Sequence, residues 1–131
     1  MKNVLRIVAG LIGILFFLNG LQWIINPANV AESLGMPLLE GVGLSTQIGD
    51  LGSFFITVGA MTVIGAITTT RHWFYAPSIL LLVAALYRTL STLLYGAPFV
   101  MSAIVVEIVV GLFLIFAGPR IATEDRNNEA A

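Results

Sequence analysis

Hydrophobic positions in this chain fall into four long blocks, separated by short breaks that carry Gly, Pro or polar residues. The first block, residues 7–25, contains no charge. About 20 helical residues at 1.5 Å each cross the ~30 Å hydrocarbon core of a bilayer, so the block is long enough to span. The same reading places spans at about 4–25, 47–70, 73–95 and 98–117. The expected fold is therefore all-α: an integral membrane four-helix bundle in antiparallel up-down-up-down order. Lys2 and Arg6 resemble the basic start of a signal peptide. The apolar run after them is too long for one and no A-x-A site follows, so a retained helix is expected. Trp23 stands where an interfacial aromatic anchor belongs.

The breaks set the connections. Pro77 falls in the first turn of the third span and Pro98 opens the fourth, positions where a missing N–H costs little. The links at 69–72 and 95–98 are so short that the helices they join must be antiparallel neighbours. Only residues 26–46 form a sizeable connection. There Asn26-Pro27 starts, and Gly35 and Pro37 stop, a short outer amphipathic helix over about 28–34. Residues 1–118 then read as a single transmembrane domain and 119–131 as a polar cytoplasmic tail.

Composition agrees. The 131 residues are 58% hydrophobic and 10% charged, with mean hydropathy +0.98, whereas soluble domains carry about a quarter charged residues. A net charge of −1 offers no basic face for nucleic acid. With no cysteine and one histidine, His72, the chain has no thiolate or His-rich metal site. It also lacks a GxGxxG, P-loop, HExxH or GxSxG motif. No catalytic residue, metal or cofactor is therefore assigned. Lys2, Arg6, Arg71, Arg120 and Arg126 all fall on one side of the expected bundle, while the other side carries Glu32 and Glu40. The positive-inside rule then puts both termini in the cytoplasm.

Two charges interrupt the apolar blocks, Arg88 in ALYRTLSTLL and Glu107 in AIVVEIVVGL. A charge near mid-bilayer costs about 2.5–3.5 kcal/mol even on insertion scales, so each nominates the other as its partner. Arg88 lies roughly 12 Å and Glu107 roughly 14 Å below the same surface. Asp50 opens the second span, and Asn19 and Gln22 lie in the outer half of the first. Ser91, Thr92 and Tyr95 share the face of Arg88. These eight residues are expected to surround one interior, with Arg88 between Glu107 and Asp50 and a cavity beneath the 26–46 segment. Two acids against one guanidinium suit a proton relay or a pocket for a small polar or cationic ligand. The competing reading is a structural ion pair that fixes helix register.

The Pro-containing segment NPANVAESLGMP, the acid in GDLGSFF, the Arg in YRTLSTLLYGAP and the Glu in the fourth span together resemble a known family. It is the small four-span bacterial membrane proteins designated domain of unknown function 4345, within the DoxX/DoxD-like group. The resemblance covers about residues 4–118 and implies a four-helix fold in the bacterial inner (plasma) membrane. Some members of the broader group are subunits of quinone-linked membrane oxidoreductases. No catalytic residue of that group carries onto this sequence.

Three functions follow as expectations. The first is a non-enzymatic membrane protein whose polar interior binds a small ligand or supports a partner complex. The second is a quinone-contacting oxidoreductase subunit with Arg88, Glu107 and Tyr95 at the site. The third is a proton-coupled small-molecule transporter, acting as a homo-oligomer because four short helices enclose little volume. The lipid bilayer is a partner in each; nucleic acid is a partner in none.

Overall fold

In the computed structural model, residues 1–122 are described, and they form helices joined by short turns with no strand among them. Helix α1 (Lys2–Ile25) is followed by two short helices, α2 (Pro27–Ser33) and α3 (Gly41–Thr46). A π-helical turn, Gln47–Leu51, leads into α4 (Gly52–Thr68). A 3₁₀ turn, Arg71–Phe74, leads into α5 (Tyr75–Tyr95), and α6 (Met101–Ile121) completes the bundle. Four helical stretches are long and apolar enough to cross a membrane: Lys2–Ile25, Gly41–Thr68, Arg71–Tyr95 and Met101–Ile121. The all-α four-helix architecture expected from the hydrophobic blocks is the one observed.

Local chemistry explains the ends. The Asn26 side chain accepts a hydrogen bond from the Asn29 amide at 3.3 Å, and Pro27 occupies the first turn of α2. Gly35 (φ +73) then reverses the chain where an L side chain would be strained. Gly96 (φ +66) ends α5 similarly, its N–H bonding to Thr92 O at 3.1 Å. The fourth helix starts later than the sequence suggested. Pro98 lies in the link, because it has no N–H and disfavours helical conformation at Ala97; α6 begins at Met101. It also ends later, running through Pro119 to Ile121. Of the expected polar tail, residues 123–131 lie outside the described part of the chain.

The second span also differs. Helical structure runs unbroken from Gly41 through the π turn to Thr68, so α3 absorbs part of what read as loop. Gln47 fixes this start. It is buried, its Oε1 accepts from the Leu39 amide at 3.0 Å, and its Nε2 donates to Pro37 O at 3.1 Å and to Met36 Sδ at 3.0 Å.

Packing divides the bundle into two intimate pairs, α1 with α4 and α5 with α6, which then lean on each other chiefly through α1–α6 and α4–α5. The α1/α4 seam is built on glycine. A Cβ on Gly59 would overlap the Phe17 backbone nitrogen and come within 2.7 Å of Gly13 O, and one on Gly20 would come within 2.7 Å of the Ile56 backbone. Small residues that admit close backbone approach are the usual means of joining helices in lipid, where apolar side chains gain little by leaving the solvent. Phe74 joins the pairs at the end of the bundle that bears the α1 N-terminus, called here the terminal end. Its ring is fully buried and rests on Gly65 of α4 and Gly118 of α6. At the opposite, loop end, Trp23 is fully buried under Val30 and Ala31 of α2, with Leu34, Met36, Ile48, Leu51 and Phe55 around it. Trp23 is thus a core residue, because α2 folds back over the position that read as an interfacial anchor.

Candidate functional site

Arg88 and Glu107 face each other across the α5/α6 seam. Arg88 Nε donates to Glu107 Oε1 at 2.8 Å, the one ion pair among the described residues. The seam admits them because their neighbours are small: Ala85 is buried one turn before Arg88, and Gly111 is buried one turn after Glu107. A Cβ on Gly111 would come within 2.9 Å of Leu82. Glu107 lies six residues after Met101, roughly 9 Å into its helix, so the pair sits within the apolar part of the bundle.

The pairing is lopsided. The Glu107 side chain is 10% exposed and the Arg88 side chain 40%. Guanidinium and carboxylate groups can meet through two parallel hydrogen bonds, but here one is made. Glu107 Oε2 is buried without a hydrogen-bond partner. Neither Arg88 Nη amine makes a hydrogen bond among the described residues. One acceptor and two donor groups of the pair are therefore left unbonded.

The expected single interior is not what the structure forms. Ser91 and Thr92 are half-buried, but their hydroxyls donate to the Arg88 carbonyl at 2.8 and 3.2 Å and so satisfy their own helix. Tyr95 is 85% exposed at the loop end, beyond the pair. Gln22 is exposed, and Asp50 is exposed in the π turn, with its backbone carbonyl accepting from the Ser53 hydroxyl at 3.1 Å. Asp50 forms no ion pair with Arg88. Asp50 lies within the π turn, where the regular 3.6-residue helical period does not apply. Asn19 is half-buried with Oδ1 shielded and unbonded. The 26–46 segment sits over the α1/α4 pair at Trp23, and its short helices pack on α1 and the π turn. It therefore does not form the expected roof over the α5/α6 pair.

Three further buried polar atoms have no partner among the described residues: Trp23 Nε1, Thr62 Oγ1 and Ser78 Oγ. Thr62 and Ser78 are fully buried hydroxyls inside apolar runs. Small hydroxyl residues occur on many lipid-spanning helices, so only the three-dimensional packing singles these two out.

The chain matches no family model, no curated protein and no solved structure in comparisons with each. The resemblance to the DoxX/DoxD-like group rests on the quoted residues alone.

Proposed function

We propose that the protein is a non-enzymatic multi-pass membrane protein whose α5/α6 seam takes a small neutral polar head group beside Arg88 and Glu107. The single observation that carries this reading is the half-made ion pair: a buried, unbonded Glu107 Oε2 on the acid, paired with an Arg88 whose side chain is 40% exposed and whose Nη amines make no hydrogen bond among the described residues. An unmet polar atom in lipid is costly, so a group bonding both sides is favoured there. Arg88 and Glu107 together carry no net charge. A head group that donates to Oε2 and accepts from Nη completes them without leaving an ion in hydrocarbon. Asp50 is exposed and forms no ion pair with Arg88, which favours a neutral ligand over a cationic one. A quinol head group, with its hydroxyl donors and oxygen acceptors, belongs to the favoured class. The exposed side of Arg88 supports arrival from lipid. In this reading the membrane is the plasma membrane, with both termini cytoplasmic.

The test is to purify the wild-type chain and Arg88→Met from membranes and identify co-purifying small molecules by mass spectrometry. One amphiphile with hydroxyl or carbonyl groups, near stoichiometric with wild type and lost from a folded Arg88→Met, is expected. Identical extracts from the two proteins would leave the pair as a structural pin.

A further inference from the structure

A second polar feature lies at the terminal end, on the other helix pair. An open groove of about 470 Å³ runs between α1 and α4, lined by Asn3, Arg6, Ile7, Gly10, Ala66 and Ile67. Its chemistry is graded along the helix axis. Along α1, Asn3 and Arg6 supply its polar part, while Ile7 and Gly10, with Ala66 and Ile67 at the end of α4, supply an apolar floor. Gly10 keeps that floor open, since the nearest side-chain atom to a Cβ there is Ala66 Cβ at 3.8 Å.

The Arg6 guanidinium is held in place across the groove. Its Nε donates to Ala66 O at 2.6 Å and its Nη2 to Ile67 O at 3.4 Å, both carbonyls at the C-terminal end of α4. These bonds neutralise the negative end of α4 and leave Nη1 without a hydrogen bond among the described residues. Among the described residues, the charged side chains at this end have one sign. Lys2, Arg6, Arg71 and Arg120 lie at this end, whereas every described acid (Glu32, Glu40, Asp50 and Glu107) lies in the loop-end half. A positive, fixed donor above an apolar floor, at the depth where spanning helices leave the hydrocarbon, complements a lipid phosphate with its acyl chains below.

We infer that this groove is a binding site for one anionic phospholipid, with the phosphate on Arg6 and Asn3 and the first acyl carbons against Ile7, Gly10 and Ile67. The site is independent of the Arg88–Glu107 pair.

Native mass spectrometry of the full chain, titrated in detergent with phosphatidylglycerol or phosphatidylcholine, tests it. One retained phosphatidylglycerol is expected in preference to phosphatidylcholine. Arg6→Gln should reduce that preference about fivefold, the factor for one basic residue near an anionic lipid, and Arg6→Lys should largely keep it. Gly10→Leu, which fills the floor and changes no charge, should weaken binding of both lipids. Arg71→Gln removes the same charge at the same end but outside the groove, and should change nothing. An equal loss in Arg71→Gln and Arg6→Gln would assign the effect to diffuse surface charge and overturn the site. Displacement of the lipid by glycerol phosphate alone would overturn the role of the apolar floor.

Discussion

Gly59 of α4 lies so close to Phe17 of α1 that a single methyl on Gly59 would occupy the space of the Phe17 backbone nitrogen. A backbone cannot swing aside as a side chain does, so the two helices would have to separate along their seam. Gly59→Ala should therefore destabilise the bundle by about 3 kcal/mol, the upper part of the overpacking range. Gly10→Ala, on the same seam but with its nearest neighbour at 3.8 Å, should be neutral within about 0.5 kcal/mol. Thermal melting in detergent distinguishes the two, and equal effects would show that the seam is looser than the glycine contacts indicate.

The Arg88–Glu107 contact predicts non-additivity. Removing either partner alone strands a charge, at a cost of about 3–5 kcal/mol for a fully buried pair. The 40% exposed Arg88 side chain places Glu107→Ala, which strands the more accessible group, below Arg88→Ala. Arg88→Ala/Glu107→Ala together should be milder than the sum by about 0.5–3 kcal/mol in a double-mutant cycle. Strict additivity would mean that the two side chains do not interact.

Gln47 secures the loop end through the Leu39 amide and the Pro37 carbonyl. Gln47→Leu keeps the volume but leaves both backbone groups without that partner, at about 1–3 kcal/mol. The effect should be local. Hydrogen exchange at Leu39 and protease cleavage between residues 34 and 41 should rise, while the α5/α6 pair keeps its protection. Unchanged exchange at Leu39 would remove Gln47 from this role.

The basic bias predicts sidedness. The chain has no cysteine, so Glu40→Cys and Arg71→Cys give single labels on opposite ends of the bundle. A membrane-impermeant maleimide added to intact cells should modify position 40 and spare position 71. The reverse pattern would invert the proposed topology.

The fold was legible because length and apolarity alone set the number of spans, and because short Gly/Pro links leave antiparallel packing as the only solution. Asn26-Pro27 also marked the α2 start correctly, since side-chain capping is a local interaction. Helix rotation was less accessible. A regular 3.6-residue period turned Asp50 and Gln22 inward; Asp50 lies in the π turn at Gln47–Leu51, where that period does not hold, while Gln22 is exposed on regular α1, whose rotation is set by its packing on α4. In the same way, Trp23 read as an anchor because nothing local says that α2 folds back over it. Arg88 and Glu107 were recognisable because a buried charge in lipid demands its opposite. The one-bond geometry between them depends on helix separation, which sequence spacing does not encode.

The link between α5 and α6 is five residues, 96–100, and it has a bearing on how the protein is made. Two helices joined so closely can leave the insertion machinery as one hairpin. Arg88 and Glu107 then meet before either faces hydrocarbon alone, and the membrane receives a dipole in place of two separate ions, each of which costs about 2.5–3.5 kcal/mol on insertion scales. The α1/α4 pair has no such need, since no ion pair joins it within the described residues and its seam is built mainly on glycine and apolar side chains, and it can close across its longer connection at leisure. Lengthening the 96–100 link should therefore slow or misdirect insertion of the third and fourth spans, while an equal lengthening of the 34–40 segment should not.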